Sequence, residues 1–279
     1  MNIRKIYIAP ASYDGRQILR KLRLNKKFKI LGFLDNSKVK KKVLYRKVIK
    51  IEKVKKTKFD NIIIGGRYYK SILKQLINLR IDKKKITLLP KSEFQYEKKD
   101  LKIRSTKTNR IFDKFLKIVK KEKIDYFVCS GSLLPIFRKQ ELATQSDVDL
   151  YVDGYKLKLL FKKFKNFKNV KIYKKFSDEK KHLITKIIIK SVEKNQYSEP
   201  ALIDITGYFN KNKKIYYFLN GNIKSDLPNK HFLRHEYTRY QNRLIRTPFK
   251  VKEYLKNLYG KNWIKPNDYF TDNTEIEII

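Results

Sequence analysis

Cys129-Ser-Gly-Ser-Leu-Leu-Pro-Ile-Phe-Arg138, followed by Ser146-Asp-Val-Asp-Leu-Tyr-Val152, is the stretch whose reading decides the fold. A Gly-Ser turn runs ahead of an Asp-x-Asp pair set in an otherwise apolar strand. Carboxylates at i and i+2 on a strand point to one face, so Asp147 and Asp149 reach toward a common point while Val148 and Leu150 turn into a core. Two like charges held so close are unfavourable unless a cation neutralises them. The Gly131-Ser132 turn, at the start of a short helix, is placed to bring N–H groups and a hydroxyl against phosphate oxygens. Arg138, further along that helix, adds a charge-assisted contact to the same expectation.

Outward from this stretch the chain reads as two domains, over residues 1–98 and 105–279, with the boundary near 95–105. From Lys5 to about Leu89, short apolar runs alternate with helical spacing, as βαβ units do. Ile6–Ile8, Ile30–Leu34, Ile62–Ile64 and Ile86–Leu89 read as parallel strands. Ile18, Leu19 and Leu22, and later Ile72, Leu73, Leu76 and Ile77, mark helices between them. The expected fold class is therefore α/β, a Rossmann-like parallel half-unit followed by a second domain of α+β type. In that domain Ile111, Phe112, Phe115, Leu116 and Val119 mark a helix ahead of the strand Tyr126–Ser130. Further strands are expected at Val170–Tyr173, Leu183–Ile189, Ala201–Phe209 and Ile215–Phe218, with a helix over Lys156–Phe164 before them.

A formal charge of +42 over 279 residues invites nucleic acid or an anionic membrane as partner. Only 14 of the 69 basic residues are Arg, and the lysines recur in nearly every segment instead of forming one patch. The abundance of Lys, Ile, Asn, Tyr and Phe is the product of AT-rich codons, so charge alone does not make nucleic acid the partner. An acidic glycan, a nucleotide or peripheral contact with an anionic membrane surface is compatible with it. Cys129 is the single cysteine, which excludes an intrachain disulfide and a CxxC zinc site. No run has the length of a membrane span or a signal peptide, so the chain reads as cytoplasmic.

A third acid stands in Ala201-Leu-Ile-Asp204-Ile-Thr-Gly-Tyr-Phe209, again flanked by apolar strand residues. Without the turn, Asp147 and Asp149 would read as surface carboxylates at a strand end, and Asp204 as a satisfied structural carboxylate. His231 and His235, four residues apart, have no third ligand and read as a solvent-facing or phosphate-facing pair. Arg234, Arg239, Arg243 and Arg246 crowd the same region, where Arg is otherwise sparse. Residues 231–246, Arg239 and Arg243 first, are the expected contact with an anionic donor or acceptor.

A Gly-Ser turn, about fourteen intervening residues, Asp147-Val-Asp-Leu150 and the later Asp204 strand resemble the nucleotidyltransferase-fold superfamily, and within it the LicD/fukutin family of phosphotransferases. Gly131-Ser-Leu-Leu-Pro-Ile-Phe-Arg138 resembles that family's turn element. Pro248-Phe-Lys-Val-Lys-Glu-Tyr-Leu255 and Leu258-Tyr-Gly-Lys-Asn-Trp263, with Pro266, are similar to its C-terminal element. The likeness covers about residues 110–268. It implies transfer of a phospho-alcohol, such as phosphocholine or an alditol phosphate, from a CDP-linked donor to a cell-surface glycan or glycolipid. It further implies Mg2+ or Mn2+ on Asp147, Asp149 and Asp204, with Gly131, Ser132 and Arg138 on phosphate. Two other readings remain open on the residues: a nucleotidyltransferase acting on a small molecule or RNA end, and a non-enzymatic protein holding RNA or anionic lipid.

The N-terminal half-unit resembles small nucleotide-binding domains found ahead of sugar-modifying enzymes, with Gly32-Phe-Leu-Asp35 closing its second strand. Where Gly-x-Gly-x-x-Gly would stand the chain has Pro10-Ala-Ser-Tyr-Asp-Gly15, so only the last glycine is kept. A degenerate or supporting role is expected in place of NAD binding.

Overall fold

A computed structural model describes residues 3–36, 42–66, 68–90, 93, 98–177, 182–193, 198–219 and 223–266. The described chain divides into two compact units, one of residues up to 93 with 198–199, the other of 98–193 with 200–266. The boundary expected at 95–105 falls partly outside the described residues.

The first unit is built on β1 (Arg4–Ala9), α1 (Tyr13–Leu22), β2 (Phe28–Leu34), β3 (Lys42–Val43), β4 (Arg46–Ile49), β5 (Asn61–Ile64), α2 (Tyr69–Asn78) and β6 (Ile86–Leu88). The strands form one sheet in the order β3-β4-β2-β1-β5-β6, parallel except for the antiparallel β3–β4 pair. Both faces are buried, as parallel sheets require. Ile6 and Ile8 pack with Ile18 and Leu19 of α1, while Tyr7 and Ala9 pack with Ile72 and Leu76 of α2. The β3–β4 pair was not legible in the sequence, because its strands are two and four residues long and rich in lysine.

The surviving glycine of the first turn has a packing reason. A Cβ built on Gly15 would lie 1.8 Å from the carbonyl oxygen of Pro10, an impossible approach to rigid backbone. Asp35 accepts the N–H of Ala11 at 3.0 Å, so the acid at the end of β2 braces the β1–α1 turn.

The second unit opens with α3 (Lys98–Lys121), then β7 (Tyr126–Val128), α4 (Leu133–Phe137), β8 (Val148–Asp153), α5 (Leu157–Phe164), β9 (Val170–Phe176), β10 (Ile184–Ser191), β11 (Leu202–Lys211), β12 (Lys214–Leu219) and β13 (Ile223–Asp226). It closes with α6 (Asn229–Phe232), β14 (His235–Tyr240), β15 (Arg243–Pro248) and α7 (Val251–Tyr259). The main sheet runs β13-β12-β11-β10-β9, with β8 parallel to β11 and antiparallel to β7. α3 begins well before the Ile111 at which apolar spacing starts. Its first turns bury Arg104, Ser105 and Thr108, polar residues that give no hydrophobic period.

Strict alternation sets the faces of the sheet. Val148, Leu150 and Val152 of β8 and Ile203 and Ile205 of β11 enter the core with Phe112, Phe115 and Leu160, while Asp149 and Asp204 turn to the other side. Among the described residues no helix is long and apolar enough to cross a membrane.

Replacing Gly15 by Ala should lower the stability of the first unit by about 2 kcal/mol or more, since neither Pro10 nor α1 can yield without breaking the turn. Denaturant unfolding monitored in that unit checks this, and an unchanged midpoint would contradict the clash.

Candidate metal centre

The parallel β8–β11 ladder places Asp149 directly beside Asp204. Asp147, two residues earlier on the chain, completes a group whose carboxylate oxygens all lie within 4.8 Å of one another, each residue half-buried. Ser146 Oγ donates to Asp147 Oδ1 at 2.6 Å. Asp204 Oδ2 pairs with Lys186 Nζ of β10 at 2.6 Å. Its other oxygen, Oδ1, is buried and has no hydrogen-bond partner. Burial pushes the Asp204 carboxyl above its usual range; Lys186 opposes this, and the nearby Asp147 adds to it. Three clustered carboxylates with a buried, unsatisfied oxygen are the donor set of a hard divalent ion such as Mg2+ or Mn2+. Asp147, Asp149 and Asp204 fit that group.

The surroundings of the acids are built around Asp149. Ser132 is completely buried, and its hydroxyl accepts the Asp149 N–H at 2.6 Å. The Asp149 carbonyl accepts the N–H of Cys129 at 3.2 Å and its thiol at 3.4 Å. Burial drives the Cys129 thiol well above its usual range, which makes it an inert core group and no nucleophile. Ser130 takes the left-handed conformation, φ 51°, at the mouth of the turn. For a non-glycine residue this is an uncommon state, held here by the surrounding packing. A Cβ on Gly131 would meet Gln145 Oε1, Tyr259 Oη and Asp149 Oδ2 no closer than 3.6 Å. Gly131 therefore borders the acids with room to spare, and no clash demands glycine there.

Arg104 fixes the loop ahead of Asp147. Its guanidinium is buried and donates to the carbonyls of Ala143 and Ser146, each at 2.6 Å. Ser105 next to it donates to Glu141 at 2.6 Å, and Tyr240 Oη accepts the Leu142 N–H at 3.0 Å. Sequence reasoning missed Arg104, although it stands on the same stripe as Thr108, Ile111 and Phe115, and an Arg in line with an apolar stripe is a signal of a buried clamp. It missed Lys186 as well. The available signal was period two in Thr185-Lys-Ile-Ile-Ile-Lys190, which puts Lys186 on the opposite face from Ile187 and Ile189.

Several expected phosphate contacts are placed elsewhere. Ser132 faces Asp149 backbone and not an open turn. Arg138 donates through Nε to the Ile264 carbonyl at 3.1 Å and through Nη2 to Trp263 and to Lys265, the last at 3.2 Å. It ties α4 to the C-terminal segment, where Phe137 meets Trp263 edge to face. Arg243 forms a two-pronged pair with Asp113 of α3, at 2.6 and 3.0 Å, and Arg246 pairs with Asp125 at 2.5 Å. Arg239 is exposed on β14. The cluster that looked like one anion-binding patch is a β-hairpin whose arginines fasten it to the helix and to the start of β7. His231 and His235 are not one helical turn apart either, because α6 ends at Phe232. His231 is in the core with Nδ1 2.8 Å from the Phe249 carbonyl, and His235 is exposed on β14.

Residues 4–87 match a family model described as C2185-like, N-terminal, which lies wholly within the first unit. No curated protein matches the chain. One similar solved structure is the lincosamide antibiotic adenylyltransferase LnuA, lincomycin-bound, at 16% identity over 57% of this chain and 84% of that one, with a TM-score of 0.35. Another is a dehydrogenase (MviM) from Clostridium difficile, at 17% identity over 89% and 83% of the two chains, with a TM-score of 0.26. A third is a putative myo-inositol dehydrogenase from Sinorhizobium meliloti 1021, at 8% identity over 88% and 82%, with a TM-score of 0.22. At these TM-scores the likenesses carry no weight for the chemistry of this chain.

Two measurements follow from this geometry. Because the raised Asp204 carboxyl takes up its proton at a higher pH than an ordinary carboxylate, protons compete with a bound ion earlier on acidification. On acidification Mn2+ affinity should begin to fall at a higher pH than it would with an ordinary carboxylate in that place, and a fall no earlier than that would contradict the burial of Asp204. Arg104→Met should destabilise the second unit by about 3 kcal/mol, the loss of two charged hydrogen bonds to buried carbonyls, read by denaturant unfolding.

Proposed function

We propose that the second unit is a metal-dependent phosphotransferase that moves a phospho-alcohol, phosphocholine or an alditol phosphate, from a CDP-linked donor to a hydroxyl of a cell-surface glycan or glycolipid. The observation that carries this reading is the convergence of Asp147, Asp149 and Asp204 beside the Gly131 turn, with Asp204 Oδ1 buried and unsatisfied. The resemblance of residues 110–268 to the LicD/fukutin family supports the donor class.

In the reaction the acceptor oxygen forms a bond to the phosphorus that bears the alcohol, the bond from that phosphorus to the bridging oxygen breaks, and CMP leaves. A divalent ion on the three carboxylates supplies positive charge to the diphosphate oxygens. Asp149 stands on β8 and Asp147 immediately ahead of its first residue, and both present their oxygens from a braced backbone. Ser132 and Cys129 hold that backbone at Asp149, and Arg104 holds it ahead of Asp147. Such bracing keeps charged groups in place before substrate arrives, which is how electrostatic catalysis avoids reorganisation. Gly131 leaves space for the diphosphate to approach the turn. In this reading NAD has no part, and peripheral contact with an anionic membrane would be made by the dispersed surface lysines.

Titration calorimetry of CDP, CDP-choline and CTP, with and without magnesium, tests the proposal on the wild-type chain and on Asp149→Ala. Magnesium-dependent binding of the cytidine diphosphates is expected, falling at least about tenfold in the variant. CMP should accumulate on turnover of CDP-choline with a glycan acceptor. Pyrophosphate released from CTP would instead identify a nucleotidyltransferase. RNA binding that survives Asp147→Asn with Asp149→Asn, without turnover of any nucleotide, would identify a basic binding protein.

A further inference from the structure

We infer that Lys186 is a built-in cation of the carboxylate centre, so that the protein alone holds one divalent ion and not two. The inference rests on the metal-centre reading above and goes beyond it, to the number of ions the site takes.

Lys186 Nζ stands 2.6 Å from Asp204 Oδ2, with the two side chains 21% and 15% exposed. This is a partly desolvated contact, unlike the solvent-washed Lys230–Glu253 pair, whose side chains are 60% and 42% exposed. Screening by water and salt is correspondingly weaker at Lys186. Its place is fixed by the sheet. Lys186 pairs with Thr206, two residues beyond Asp204 on β11, so both side chains emerge on the face that carries Asp149. Lys175 of β9 lies opposite Lys186 in the next pair of strands, and it too adds positive charge at Asp204.

Two divalent ions on shared carboxylates sit about 4 Å apart and need oxygens from the bridging acids on both sides. Asp204 is the acid that would have to face both. One of its oxygens already meets an ammonium at contact distance, and the other is left as the sole oxygen open to an ion. Charge leads to the same place. Three carboxylates with one ammonium leave a deficit that a single divalent ion fills, whereas a second ion would make the cluster cationic next to Lys175 before any substrate arrives. Lys186 therefore occupies the coordination place and carries part of the charge of a second ion. It is a positioning residue, acting on the ion through Asp204.

Mn2+ titration of the full chain without nucleotide, by calorimetry with electron paramagnetic resonance, tests this. The wild type should bind one Mn2+ with an uncoupled six-line spectrum. Lys186→Met should bind the first ion about tenfold more tightly, because a nearby like charge is gone, and should take a second with an exchange-coupled spectrum. Lys186→Arg, which keeps the charge, should restore one ion. Lys186→Gln serves as the neutral variant if the Met protein does not fold, as judged by its circular dichroism. Two coupled ions in the wild type, or one ion of unchanged affinity in the neutral variants, would overturn the inference and leave the metal centre standing. No Mn2+ bound by any form would overturn both.

Discussion

Mutual repulsion of three carboxylates is the constraint around which the second unit is organised. Oxygens within 4.8 Å of one another repel by about 3 kcal/mol per pair at an effective dielectric constant near 20. The parallel pairing of β8 with β11 nevertheless enforces the contact, because Asp149 and Asp204 occupy the same rung. Slipping β8 by one residue against β11 would relieve the repulsion but would turn Val148, Leu150 and Val152 out of the core. Burial of those side chains, at about 2 kcal/mol each, together with the Lys186–Asp204 contact, opposes the electrostatic cost and keeps the register. The hydrophobic face thus holds the polar face in a state it would not choose alone, a cluster primed for a cation.

Much of this was legible because it rests on alternation. Period two in Val148-Asp-Leu-Tyr-Val152 and Ile203-Asp-Ile205 says which residues enter the core and which share a face. Convergence of the first two acids with the third needs only that the strands be neighbours. The first unit was legible for a different reason, its strands being continuous apolar runs buried on both sides. What escaped were contacts between residues far apart in sequence that follow no period. Arg104 to Ser146 and Lys186 to Asp204 are of this kind. In a chain with 69 basic residues, helix or strand period marks the face on which Arg104 and Lys186 stand but not the partner each one meets.

The arginines show the opposite failure, a visible pattern with a different cause. Arg239, Arg243 and Arg246 crowd together because a two-stranded hairpin repeats its neighbours, and Arg243 and Arg246 each meet an acid, Asp113 and Asp125. Arg246 also lies over the Phe127 ring at 5.0 Å. Arg suits this work because its planar, rigid fork can grip a carboxylate at two points and stack flat on an aromatic face, whereas Lys meets either as a single point charge. In a composition that favours Lys, retention of Arg marks geometry. Arg104, gripping two carbonyls, and Arg138, gripping the carbonyls of 263–265, obey the same rule. Arg104, Arg138, Arg243 and Arg246 fasten the frame, and Lys186 places positive charge at the carboxylates.

That division of labour bears on what the frame protects. Arg138 and Trp263 join the helix after the Gly-Ser turn to the end of the described chain, while Tyr254 of α7 packs edge-on against Phe232 and His231. The segments at residues 131–138 and 248–266 are therefore in direct contact, although more than a hundred residues separate them in sequence. Their joint presence has a structural explanation that needs no shared ligand: one closes over the other. The carboxylate cluster is the smaller set between them in sequence, Asp147, Asp149 and Asp204 with Lys186 against it. None of these four is fully buried, and Asp204 alone among them keeps a buried oxygen without a partner. A carboxylate cluster braced in this way, with a buried oxygen of Asp204 left without a partner, is the arrangement expected where a ligand completes the site.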